Sequence, residues 1–169
     1  AGLTAADLTL LPNLPTDFLI KNPETRPDDV LTQIGGGEID VDYGDLPDGE
    51  FVGATINFGN LGADLTGLAP LIFGASTSTP ATIKVEFEDA QGDRTQVLFT
   101  DVDLIQRFFS ISLSDLSNNP TFNLDAVRYI NFLIDNGNVG PNAGNYSIFT
   151  DGLFFVPEIQ PDPTLTLAN

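Results

Sequence analysis

The strongest constraint on how this chain folds is a period of two. Ile83, Val85 and Phe87 alternate with Lys84, Glu86 and Glu88, and Ile39, Val41 and Tyr43 alternate with Asp40 and Asp42. Ile130, Phe132 and Ile134 likewise alternate with Tyr129, Asn131, Leu133 and Asp135. Successive side chains of a strand point to opposite faces, so this pattern buries one face and leaves the other wet, as antiparallel sheets do. Glycine (16 of 169 residues) and proline (12) fall between the runs as turn signals. The runs predict strands over 17–21, 37–43, 51–58, 71–74, 82–88, 95–100, 108–113, 129–135 and 146–155. No helical period of ten residues joins them, as a parallel α/β sheet would require. The expectation is an all-β antiparallel β-sandwich, a jelly roll.

Local signals fill in the connections. Residues 90–93 contain Gly92, which supplies the positive φ of a hairpin turn. Residues 104–106 and 124–127 read as single helical turns, with Asp101 and Asn123 as their N-caps. Residues 136–145 read as a flexible loop. Phe73, Phe87, Phe99, Phe109 and Phe132 stand at buried phases and supply a core that has neither Trp nor Met. Residues 1–15 are expected as an N-terminal arm or first short strand, and residues 16–156 as the sandwich module. Pro157, Pro161 and Pro163 mark 157–169 as a linker or tail, the expectation for part of a longer multidomain chain.

Composition narrows the chemistry. The chain has no Cys and no His, which excludes disulfides, Cys/His zinc sites and every nucleophile that depends on a histidine base. Six Lys and Arg stand against 24 Asp and Glu, a net charge of −18. Such a chain repels phosphate backbones, so nucleic acid is not an expected partner. No apolar run is long enough to span a bilayer.

One acid interrupts an apolar row. Phe149, Asp151, Leu153 and Phe155 share a strand face, and a buried carboxylate must be paired, protonated or metal-bound unless the strand end reaches water. Calcium, which takes oxygen ligands from carboxylates and carbonyls, would satisfy it. Asp40, Asp42, Asp45, Asp48 and Glu50 also cluster, but they lack the spacing of a calcium-binding loop and read as a wet strand face followed by a turn.

The order of segments carries a further signal. Gly37-Glu38-Ile39-Asp40-Val41-Asp42-Tyr43 is followed by Gly53-Ala54-Thr55-Ile56-Asn57-Phe58 and by Ile83-Lys84-Val85-Glu86-Phe87-Glu88-Asp89. Then come Phe108-Phe109-Ser110-Ile111-Ser112-Leu113, Leu124-Asp125-Ala126-Val127-Arg128-Tyr129-Ile130-Asn131-Phe132 and Tyr146-Ser147-Ile148-Phe149-Thr150-Asp151-Gly152-Leu153. From about residue 17 to 155 this succession resembles the jelly-roll carbohydrate-binding modules of the galactose-binding-like type, which are attached to secreted polysaccharide-active enzymes and surface proteins. It departs from them in lacking Trp. The resemblance implies a jelly roll, sugar binding on a sheet face or at loop tips, and a structural calcium ion with Asp151 as a ligand. Asp17 or Glu24, from the opening strand, would be its partners. It also implies a secreted or cell-surface location and a polysaccharide or glycan partner.

Sugars are held by aromatic faces together with Asn, Gln, Arg and Glu side chains. If the central strands are neighbours, Lys84, Glu86, Gln96, Tyr129 and Asn131 line one surface, and Arg128 adds a fork of donors at its edge. The leading expectation is a non-catalytic, calcium-stabilised carbohydrate-binding module. One alternative is a structural or adhesive sandwich without a sugar site. Another is a small polysaccharide-active enzyme using the paired carboxylates Glu86 and Glu88.

Overall fold

A computed structural model describes residues 18–22, 28–34, 38–66, 68–116, 119–139 and 142–157. Among the described residues, ten strands form two five-stranded sheets, and every pairing is antiparallel. They are β1 (Phe18–Lys21), β2 (Val30–Ile34), β3 (Glu38–Tyr43), β4 (Phe51–Asn57) and β5 (Leu68–Thr77), then β6 (Ala81–Asp89), β7 (Arg94–Val102), β8 (Arg107–Ile111), β9 (Val127–Asp135) and β10 (Gly144–Pro157). One sheet has the order β1-β4-β9-β6-β7 and the other β2-β3-β10-β5-β8, so the chain repeatedly crosses between layers. The antiparallel sandwich expected from the alternation is the observed architecture.

The differences from expectation are local. β2 has no counterpart among the predicted strands, and β5 extends beyond 71–74 at both ends. Residues 104–106 bend without forming a helical turn. Asp101 does not cap them: it takes φ 59° at the end of β7, and Asp103 Oδ1 instead accepts the Ile105 amide at 2.9 Å. The start of the supposed loop 136–145 is a helical turn, α2 (Asn136–Val139), preceded in the chain by α1 (Leu113–Leu116). The turn near 124 is a 3-10 turn, Leu124–Ala126, but Asn123 makes no side-chain cap to it.

The core is the set of inward phases. Val52, Ala54 and Ile56 of β4, Ile83, Val85 and Phe87 of β6, and Ile130, Phe132 and Ile134 of β9 face Ile39, Val41, Leu71, Phe73, Ala75 and Ile148 of the other sheet. All are essentially inaccessible to water. Phe73 is the hub: its ring lies 5.1 Å from Phe132, 5.3 Å from Phe99 and 5.5 Å from Phe109, with edge and stacked geometries. The five phenylalanines assigned to the core from their phase are buried there, Phe99 and Phe109 partly. Tyr146 ties the layers with a polar bond, its hydroxyl donating to the Phe132 carbonyl at 2.9 Å. Burial pushes the Tyr146 phenol far above its ordinary range, and burial also raises Tyr43, against an opposing hydrogen bond with Thr79.

Asp89, at the end of β6, is fully buried and organises the hairpin that follows. Its Oδ1 accepts the amides of Gln91 (2.9 Å) and Asp93 (3.0 Å), and Oδ2 accepts the amide of Asn123 (2.8 Å). The turn closes through Gly92 at φ 88°, a backbone conformation costly for other residues. The acidic run on the other sheet is used as strand and turn. Asp40 accepts Ser147 Oγ, Asp42 accepts Asn145 Nδ2 at 2.9 Å, and Glu50 N bonds back to the Pro47 carbonyl at 3.0 Å.

Candidate functional site

The outward phase of the β1-β4-β9-β6-β7 sheet collects the polar residues singled out in the sequence. Register places Thr55, Asn131, Glu86 and Gln96 in one row across four strands. Asn57, Tyr129, Glu88 and Arg94 form the row on one side of it. Gly53, Leu133, Lys84 and Leu98 form the row on the other side, with Lys21 of β1 opposite Gly53. Lys84, Glu86, Gln96, Tyr129 and Asn131 therefore do share one surface, on adjacent strands.

The middle of that surface is not open to solvent, contrary to the wet face that simple alternation predicts. Asn131 is 0% exposed, Leu133 3%, Thr55 6% and Glu86 8%. Asn131 accepts Thr55 Oγ1 at 2.8 Å and donates Nδ2 to Glu86 Oε1 at 3.1 Å, so its amide is spent on its neighbours. Lys21 Nζ approaches the same Glu86 oxygen at 3.7 Å. Such a contact joins strands three places apart and requires the sheet to curl towards this side, which makes the face a hollow. Gly53 lies beneath it. A Cβ there would collide with the Leu133 side chain and the Phe132 carbonyl oxygen, so glycine keeps β4 and β9 close at this point.

Charges on the face are largely matched. Arg94 lies 2.9 Å from Glu88 and 3.9 Å from Glu86. Both carboxylates that a glycosidase reading would use are thus tied to a guanidinium, which fixes them as hydrogen-bond acceptors. At the rim, the Arg128 guanidinium sits 5.0 Å from the Tyr129 ring centroid. Its Nη2 donates to the Tyr129 hydroxyl (3.0 Å) and to Asn60 Oδ1 (3.2 Å), while its buried Nε has no partner. Tyr129 is half-buried, its ring orientation set by this arginine.

The far end of the face holds residues that sequence reasoning did not select. Phe51, half-buried, shares the phase of Gly53 and Thr55 and is absent from the core cluster. With Gly49, Glu50, Lys84, Asp135, Asn136 and Gly137 it lines a cleft of about 260 Å³. From Tyr129 to Asp135 the face runs six residues of β9, about 20 Å. An aromatic ring stands near each end, and a pre-paired polar network lies between.

The metal ligands inferred from the sequence are not brought into view. Asp17 and Glu24 lie outside the described residues, as does the side chain of Asp151, although its backbone belongs to β10. Among the described residues, no three acidic side chains gather as a ligand set. Among them too, no helix is long and apolar enough to cross a membrane.

Comparison with known proteins places the fold. No protein-family profile matches the chain, and no curated protein matches it in sequence. Solved structures do. The family 11 carbohydrate-binding module of the cellulosomal cellulase Lic26A-Cel5E of Clostridium thermocellum aligns over 85% of this chain and 89% of its own, with TM-score 0.59 and 12% identity. A family 29 carbohydrate-binding module, a point mutant of CBM29-2, aligns over 82% of each chain with TM-score 0.50 and 14% identity. The agarase AgWH50C aligns over 88% of this chain but only 24% of its own, with TM-score 0.62 and 13% identity. The resemblance drawn from the order of segments is thus matched in three dimensions: the chain has the jelly-roll fold of carbohydrate-binding modules.

Proposed function

We propose that this chain is a non-catalytic carbohydrate-binding module of a secreted or cell-surface protein, and that it lays a glycan along the hollow face of the β1-β4-β9-β6-β7 sheet. The observation that carries the reading is the arrangement of that face, where Tyr129 and Phe51 rings bracket a row of acceptors held in place by Lys21, Arg94 and Asn131. Pyranose rings offer an apolar C–H face to an aromatic ring and hydroxyls to oriented carboxylates and amides. Asn131 acts here as a positioning residue, since it holds Glu86 and is itself covered. The agarase, of which this fold makes up a quarter, supports a setting within a larger chain.

Affinity electrophoresis tests this with soluble mixed-linked β-1,3-1,4-glucan, glucomannan and agarose. Retardation is expected in at least one. Tyr129→Ala and Glu86→Gln each weaken it by about tenfold, the loss of one good contact of roughly 1.4 kcal/mol. Phe108→Ala, on the other sheet, leaves it unchanged. Equal binding by all variants would move the site off this face.

A second reading, protein contact without a sugar site, is favoured by one feature. Leu98, Leu104, Ile105 and Phe108, 52–76% exposed, all lie on β7 and β8, the outermost strands of their sheets among the described residues, or on the turn between them. It predicts no retardation in any glycan.

Calcium stabilisation belongs to the same proposal, with Asp151 as a ligand and Asp17 or Glu24 completing its set. The support is the resemblance to jelly-roll modules. The single row Phe149, Asp151, Leu153, Phe155 expected from simple alternation does not hold, because the register of β10 against β5 shifts between Phe149 and Phe154. At a calcium concentration about a hundredfold above Kd, a bound ion stabilises the fold by about 2.7 kcal/mol. Excess EGTA is therefore expected to lower the melting temperature by several degrees, restored by added calcium. An unchanged melt would remove the ion.

A further inference from the structure

The cleft at the far end of the hollow face is built from two elements besides the sheet. Phe51, Lys84 and Asp135 belong to the sheet surface, whereas Gly49 and Glu50 come from the turn before β4, and Asn136 and Gly137 from α2. This wall is firmly held. The Asn136 amide donates to the Glu50 carbonyl, its Nδ2 donates to the Leu46 carbonyl, and Val139 packs against the core. The turn and the helix are thereby tied together across the ends of β4 and β9. A polymer running along β9 from Tyr129 reaches this cleft at Asp135.

The cleft's chemistry is that of a single polar ring site. At about 260 Å³ it falls below the roughly 300–1,000 Å³ of sites for drug-sized ligands. Glu50 and Asp135 contribute carboxylates that are also engaged within the fold, and Asn136 contributes its amide oxygen, its Nδ2 being held by the Leu46 carbonyl. Among the described residues Lys84 is in no ion pair, although the chain holds four times as many acids as bases, so its ammonium keeps donors available for a ligand. Phe51 supplies a ring face.

We propose that the module binds its glycan by the chain end, seating the terminal sugar in the cleft between Phe51 and Lys84. The inference rests on the carbohydrate reading above and adds the point of attachment. A terminal residue carries a free hydroxyl or an anomeric centre where an internal one continues into the next sugar. A walled polar cleft accepts the first and excludes the second, because an internal residue needs room for chain on both sides.

Stoichiometry separates end binding from internal binding. The full chain is titrated calorimetrically against short and fourfold longer fractions of whichever of mixed-linked β-1,3-1,4-glucan, glucomannan or agarose retards it, at equal molarity of glycan chains. End binding gives one protein per glycan chain at both lengths. Phe51→Ala and Lys84→Ala then each reduce affinity by about tenfold. Protein bound per chain rising in proportion to length, with both variants binding as the parent does, would overturn the proposal while leaving carbohydrate binding intact. Silence of all three glycans would overturn it together with the reading on which it rests.

Discussion

Phe73→Ala is expected to destabilise the fold by about 4 kcal/mol, the cost of emptying a fully buried phenyl site. For a chain of this size that corresponds to a fall in melting temperature of about 10 °C. The size follows from position. Phe73 is the ring through which β5 of one sheet meets β9 and β7 of the other, with three aromatic neighbours within 5.5 Å. Backbone ladders surround it on both sheets, so the cavity cannot readily collapse. Phe108→Ala is the control. One residue from Phe109 in the same strand and 64% exposed, Phe108 is expected to matter by no more than about 0.5 kcal/mol. Thermal melts of both variants decide it; equal losses would mean that the inner and outer phases are wrongly assigned.

Asp89→Ala is expected to cost about 3 kcal/mol through a different mechanism. Three backbone amides, those of Gln91, Asp93 and Asn123, lose a charged acceptor in a site from which water is excluded. Two belong to the β6–β7 hairpin, and the third comes from the segment leading into β9. The variant should therefore loosen both at once, seen as faster amide hydrogen exchange at 91, 93 and 123. Asp89→Asn keeps one acceptor oxygen but presents a donor where an amide already points, and is expected to fall between the parent and the alanine variant. A melt of Asp89→Ala superimposable on the parent would show that solvent reaches these amides.

The sandwich was legible because β3, β6 and β9 alternate cleanly, which sets both strand and phase. β2 was not legible: Val30, Leu31, Thr32, Gln33 and Ile34 do not alternate, and Val30 is half-exposed despite its chemistry. Phe51 was missed for a related reason. Phe51, Val52, Ala54 and Ile56 place apolar residues on both phases of β4, so hydrophobicity cannot say which phase is inside. Its cross-strand partner Asp135 does say, but that pairing is known only from the fold. Conversely, the polarity of Asn131 and Glu86 points to wet positions, whereas both are buried. Alternation reports which side chains avoid the core, and is silent on whether a hollow sheet and a reaching Lys21 cover them. The cap at 103 in place of 101 turns on one backbone dihedral, the positive φ of Asp101.

The hollow face also suits an acidic chain. Four of the six basic residues, Lys21, Lys84, Arg94 and Arg128, lie on or beside it, in a molecule of net charge −18. Lys21 and Arg94 pair with Glu86 and Glu88, and Lys84 and Arg128 add positive charge beside them, which offsets the acids of the face and suits it to an uncharged polyol.

The decisive measurement is amide chemical-shift mapping during titration with a β-1,3-1,4-mixed-linked tetrasaccharide, mannohexaose or an agaro-oligosaccharide. Glycan binding on the hollow face predicts perturbations confined to the outward positions of β4, β6, β7 and β9 and to residues 49–51 and 135–137. Shifts clustered instead on β3, β5, β8 and β10, or none with any of the three sugars, would contradict it.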